Sequence, residues 1–179
     1  LEKSAHKTPV SLFEEAVTAA NKAVFEESAS HVEYEGMGTT VVACTLEENT
    51  LYIANIGDSR LYLIRDGIEQ ITDDHSLVEE MVKQGNITES EARIHPQKNI
   101  ITRALGINEE VQTDFFEIDV EQGDVIMLCS DGLSNMIEDE DMEYIVKNSD
   151  TLQTAAESLV ARANENGGND NITVVLAEV

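Results

Sequence analysis

Between Thr39 and Thr72 the chain repeats one short pattern that commits it to sheet. Runs rich in β-branched and aromatic residues, 39–46, 50–56, 60–65 and 68–72, are separated by Glu47-Glu48-Asn49, Gly57-Asp58 and Asp66-Gly67. Runs of this length punctuated by turn formers read as strands, and their close succession reads as an antiparallel meander. Asp66-Gly67, set between Ile64 and Ile68, reads as a two-residue hairpin turn, because both residues tolerate the positive φ such a turn requires.

The rest of the chain places helices around that block. Phe13, Ala16, Val17, Ala20 and Val24 recur at helical spacing within 12–27, with Ser11 as the expected N-cap. Residues 73–105 read as a helical insertion: Ser76 caps one helix, Gly85 stops it, Thr88 leads a second, and His95-Pro96 ends it. Strands resume at 113–118 and 124–129, helices follow at 138–147 and 151–164, and a last strand covers 172–179. Strands and helices are grouped rather than alternating, which favours an α+β fold with antiparallel sheet over a doubly wound parallel one. At 179 residues with 41% hydrophobic content, the chain reads as a single domain, 1–179.

Charge narrows the function classes. Eleven Lys and Arg face thirty-six Asp and Glu, a net charge of −25, so phosphate backbones and anionic lipid surfaces are repelled and nucleic-acid binding is disfavoured. Such acidity is either a solvated surface or a set of carboxylates that holds divalent cations. The longest apolar run, 125–129, is far too short to span a membrane. Cys44 and Cys129 lack metal-ligand spacing and read as core thiols. No signal peptide opens the chain, which fits the cytoplasm, and Leu1 is not an initiator Met.

Three aspartates stand at the ends of β-like runs beside small residues: Gly57-Asp58-Ser59, Ser130-Asp131-Gly132 and Gly168-Asn169-Asp170-Asn171. Glycine beside a carboxylate permits close approach of a ligand, although each segment alone reads equally as a turn. No Gly-rich phosphate loop, His-Glu-x-x-His or Gly-x-Ser-x-Gly pattern is present. His6 and His31 lie in polar surroundings, and His75 and His95 flank the helical insertion as capping or packed residues, with no catalytic role assigned.

Six segments occur in an order that resembles the metal-dependent Ser/Thr protein phosphatases of the type 2C, or PPM, family, especially its compact bacterial branch. They are Gly36-Met37-Gly38-Thr39-Thr40, residues 54–60 (Ala-Asn-Ile-Gly-Asp-Ser-Arg), Asp74-His75-Ser76-Leu77, His95-Pro96-Gln97-Lys98-Asn99, residues 129–135 (Cys-Ser-Asp-Gly-Leu-Ser-Asn) and residues 167–173 (Gly-Gly-Asn-Asp-Asn-Ile-Thr). Any one could arise by chance, but the ordered set is specific.

The resemblance implies a sandwich of two antiparallel β-sheets flanked by helices, with a binuclear Mn²⁺ or Mg²⁺ centre at one end. It implies Asp131 and Asp170 as ligands of the core ions, through which they serve catalysis, and Asp58 with Asp131 as holders of a third. Ser130, Gly132 and Asn171 would support them, and residues 76–105 would form a flap beside the site. The expected reaction is hydrolysis of phosphoserine and phosphothreonine on proteins by a metal-activated water, with a Ser/Thr protein kinase as the opposing partner. The family's phosphate-binding Arg and further metal motifs have no counterpart here; they are expected upstream of Leu1, which would make the chain the C-terminal two thirds or so of a phosphatase with an open sheet edge. Rival readings are a pseudophosphatase-like interaction module, an inactive fragment, and an acidic α+β domain whose aspartates only make turns.

Overall fold

A computed structural model of the chain describes residues 7–179; His6 lies outside them. Two antiparallel sheets stack face to face. One has strand order β1-β2-β5, from β1 (Val41–Glu47), β2 (Thr50–Ile56) and β5 (Asp114–Asp119). The other has order β4-β3-β6-β7, from β3 (Arg60–Ile64), β4 (Ile68–Gln70), β6 (Val125–Cys129) and β7 (Val174–Glu178). This is the expected α+β sandwich.

The alternation of side chains along each strand builds two cores from one set of residues. Leu61, Leu63 and Ile126 of one sheet meet Leu51 and Ile53 of the other between the layers. Their neighbours Tyr62, Ile64, Met127 and Cys129 point the opposite way, onto Leu133, Ile137, Met142, Val146, Ala155, Leu159 and Ala163. Those residues come from α4 (Asp131–Ser134), the segment after it, α5 (Asp139–Lys147) and α6 (Leu152–Glu165). On the far side, Val17 of α1 (Pro9–Ser30) packs with Ile56 and Leu105. The layers therefore run helix, sheet, sheet, helices. Cys129 is buried and Cys44 partly so, and both are free thiols.

Four expectations are corrected. Thr8, not Ser11, caps α1: its hydroxyl accepts from the Ser11 N–H, and Pro9 occupies the first helical position, where no amide hydrogen is needed. The four β-runs are not one meander, because β1 pairs with β2 in one sheet while β3 pairs with β4 in the other. The break at Gly57-Asp58 is a switch between layers, turned by Gly57 at φ 105°. The Asp66-Gly67 hairpin exists, but Ile64 pairs with Ile68 across three residues, and neither Asp66 nor Gly67 takes a positive φ. Finally, Asp131 does not end in an open turn; it begins the one-turn helix α4.

The insertion is built as its capping residues dictate. Ser76 accepts from the Glu79 N–H to start α2 (Leu77–Lys83), and Thr88 and Glu91 close a reciprocal capping box on α3 (Glu89–Arg93). Its two ends are tied together where Leu77 N–H donates to Ile100 O and Thr102 N–H to His75 O, at 2.9 and 2.8 Å. No helix among the described residues is long and apolar enough to cross a membrane.

Candidate active site

The site lies where β2 hands over to β3 and β6 runs into α4. Asp58 follows the Gly57 switch, and Asp131 follows Ser130 at the end of β6. The register pairing Arg60 with Cys129 sets these two strand ends side by side. Both carboxylates line a cavity of about 380 Å³ between the second sheet and the insertion; Arg60, Asp74, Arg93 and Lys98 line it as well.

Asp170 reaches the same region through Ser130. The Ser130 backbone N–H donates to Thr173 O, its hydroxyl donates to Asn171 O at 3.1 Å, and the same hydroxyl accepts from Thr173 N–H at 3.0 Å. Three hydrogen bonds thus dock the 170–173 segment onto the end of β6. Gly132 allows the approach: a Cβ there would lie 2.2 Å from Asn171 O, a distance no side chain can occupy. Ser130 and Asn171 therefore meet through main-chain oxygen, not through the carboxylates. The Asp170 Oδ1 accepts from the Asn171 N–H at 2.7 Å, leaving Asp170 solvent-exposed.

Electrostatics link the three aspartates. Burial pushes Asp58 up to about 6, and the charge of Asp131 adds to the shift. Asp131 is raised by burial and then by Asp170, against a backbone hydrogen bond that lowers it. Asp131 is the shared member of both repulsions. Among the described residues, no three His, Cys, Asp or Glu side chains come close enough to enclose a cation by themselves. The site instead offers carboxylates in pairs about Asp131. Mutually repelling hard oxygen donors beside a polar cavity fit a divalent cation that completes its shell with water and backbone carbonyls.

Several site residues were not singled out from the sequence, although Thr40, Ser59, Arg60, Asp74 and Asn135 stand inside the segments already quoted. Arg60 grips Asp74 with two nitrogens and donates from Nη1 to the Tyr62 hydroxyl at 2.8 Å. The Thr40 and Ser59 hydroxyls share a hydrogen bond at 3.0 Å. Asn135 Nδ2 donates to Asp131 Oδ2 at 3.4 Å, one helical turn on. Arg93 hooks the insertion onto the far end of α4, donating to Ser134 O and Ile137 O and pairing with Glu138 at 2.9 Å. His95 stays peripheral, accepting from Gln97 N–H.

With this geometry in place, the comparisons with known proteins are decisive. The family model described as protein phosphatase 2C matches residues 2–177. The chain belongs to the protein phosphatase 2C family. The serine/threonine phosphatase stp of Listeria monocytogenes is 42% identical over 92% of the chain, and the match covers 66% of that relative. The chain thus spans just under two thirds of that relative's length. The crystal structure of the serine/threonine phosphatase Stp1 from Staphylococcus aureus superposes with a TM-score of 0.93 at 34% identity, covering 100% of this chain and 70% of that one. The catalytic domain of the serine/threonine protein phosphatase PstP, solved in complex with two manganese ions, gives a TM-score of 0.86 at 35% identity, covering 99% and 74%. The fold of this chain is thus shared with solved serine/threonine phosphatases.

Proposed function

We propose that this protein is a metal-dependent protein phosphatase that hydrolyses phosphoserine and phosphothreonine on other proteins. The observation that carries the reading is that Asp58 and Asp131 stand on adjacent strand ends and line one polar cavity, with the segment that holds Asp170 docked on Ser130 beside them, in a member of the phosphatase 2C family. Asp131 with Asp170, and Asp131 with Asp58, are the oxygen pairs that would hold Mn²⁺ or Mg²⁺. When bound, the cations supply Lewis-acid chemistry: they activate water for attack on phosphorus and neutralise charge on the phosphoryl group.

The chain's own residues do the rest. Ser130 and Gly132 keep the 170–173 segment against β6, so that Asp170 stays beside Asp131. Asn135 orients the Asp131 carboxylate by donating to it. Arg93 and Lys98 line the same cavity as Asp58 and Asp131 and offer cationic groups to an anion that enters it. Residues 76–105 act as a flap over that entrance, tied at the root by residues 75–77 and 100–102 and at the tip by Arg93. The opposing partner is a Ser/Thr protein kinase, and the site of action is the cytoplasm.

The test is phosphate release from a phosphothreonine peptide with and without Mn²⁺, by this chain and by the protein expressed from its natural initiation codon. Mn²⁺-dependent release by the latter is expected. A folded protein that binds Mn²⁺ but releases no phosphate, or binds none, would make it an interaction module on a phosphatase scaffold.

A further inference from the structure

His75 is buried at 6% exposure and meets Gly57 twice. Its backbone N–H donates to Gly57 O at 2.9 Å, and its ring Nδ1 accepts from Gly57 N–H at 2.9 Å. These two bonds hold the peptide groups on either side of Gly57. A glycine has the widest backbone freedom of any residue, and this one sits at φ 105°, where a Cβ would lie 2.3 Å from Thr40 Cγ2. Clamping both flanking peptides fixes its φ and ψ, and with them the direction in which the next residue, Asp58, leaves the chain.

The ring's proton is set by its neighbours. Because Nδ1 accepts, the hydrogen is on Nε2, which donates to Asp114 Oδ2 at 3.0 Å. Arg103 Nη1 stands 3.0 Å from the same Nε2, but two N–H groups cannot bond to each other. Its hydrogen bonds run to Asp114 Oδ1 at 2.6 Å and Gln112 O at 3.3 Å. A line of contacts therefore leads from Arg103, near the end of the insertion, and Asp114, the first residue of β5, through His75 to the switch between the sheets.

We propose that His75 is a positioning residue for Asp58: fixed as the Nε2–H tautomer by Asp114, it clamps the Gly57 peptides and so aims the Asp58 carboxylate into the cavity shared with Asp131. The inference rests on the reading of Asp58 as a cation ligand. It assigns His75 no contact with substrate. Partners that orient a metal ligand are worth about 10–100-fold in metal affinity.

The experiment compares wild type with His75→Ala, His75→Asn and His75→Gln in the protein expressed from its natural initiation codon. Mn²⁺ binding is read by calorimetry, and the wild-type ring by ¹⁵N NMR. An Asn amide oxygen can stand where Nδ1 stands, whereas Gln reaches toward the Nε2 position. The wild-type ring should be the Nε2–H tautomer, His75→Ala should weaken Mn²⁺ binding by about 10-fold or more, and His75→Asn should recover most of that loss. Should His75→Ala fail to fold, the comparison of His75→Asn with His75→Gln decides, the former binding more tightly. A ring protonated at Nδ1, a His75→Ala protein that binds Mn²⁺ like wild type, or an Asn variant no better than Gln overturns the proposal. Since neither readout uses turnover, a wild type that binds Mn²⁺ yet cleaves no phosphopeptide would sink the phosphatase reading separately.

Discussion

Arg60 and Asp74 form a two-pronged ion pair across the wall of the cavity, Nε to Oδ1 at 2.9 Å and Nη2 to Oδ2 at 2.7 Å, with 20% and 13% of the side chains exposed. The pair joins β3, which starts beside Asp58, to the root of the insertion. Removing one partner strands the other charge away from water, so Arg60→Ala should destabilise the fold by about 3 kcal/mol, read from urea unfolding. Arg60→Lys keeps the charge but not the planar fork, and should recover only part of the loss. An Arg60→Ala protein as stable as wild type would show that the pair is solvated.

The close contact at Gly132 gives a second test. A methyl group at this position meets Asn171 O, which is backbone and cannot rotate away. Gly132→Ala should push the 170–173 segment off β6, lower stability by about 1–3 kcal/mol and weaken Mn²⁺ binding. Unchanged Mn²⁺ titration in a folded Gly132→Ala protein would mean that Asp170 does not need this docking.

Asp58 makes the cation-free protein pH-sensitive. Its carboxyl is raised from 3.8 to about 6 in the folded state, first by burial and then by Asp131. Between those values the folded chain binds more protons than the unfolded one, so this group's contribution to stability falls as pH rises from about 4 to about 6. Asp131 and Asp139 are shifted in the same direction and add to the slope. Urea midpoints across that range should drop in metal-chelated buffer, and less steeply in Asp58→Asn. A slope identical in the variant and wild type would remove Asp58 as its source.

Asp131 separates the roles of charge. In Asp131→Asn, Mn²⁺-dependent turnover should be abolished while the cation-free protein becomes more stable, because Asp58 and Asp170 both lose a repelling neighbour. Asp58→Ala should reduce turnover without unfolding the chain. Intact turnover in Asp131→Asn would overturn the ligand assignment.

A last test concerns the far end of β3. Arg65 holds Asp124 with Nη2 and Nε, and Asp124 is only 2% exposed. That hydrogen-bonded pairing lowers the Asp124 carboxyl below 3.8, so its stabilising effect is present above about that pH and is lost on further acidification. Arg65→Met should therefore shift acid unfolding to higher pH while leaving Mn²⁺ binding intact, as the pair is remote from the cavity lining.

Legibility differed from element to element. The Ser76 cap and the Thr88-led start of the second helix could be read directly, because a cap's chemistry is local, whereas the reciprocal bond from Glu91 came with the structure. Asp58, Asp131 and Asp170 were nominated by their glycine and serine neighbours and by motif order, yet spacings of 73 and 39 residues carry no information on proximity. Arg60, Asp74 and Asn135 stood in the same motifs and were passed over, since a salt bridge or a hydrogen bond to a carboxylate leaves no periodic signal. The packed character expected of His75 agrees with its burial, while its grip on Gly57 needed the fold to be visible.

The amino-acid order by itself determined where strands and helices form and which faces are apolar, because alternation, capping and turn chemistry act over a few residues. Only the tertiary structure decided that β2 and β3 belong to different sheets, that β5 returns to β2, and that the 170–173 segment docks on the end of β6. Those choices depend on which distant strand offers its free N–H and C=O groups and on which apolar face is left to cover, and no local pattern encodes either.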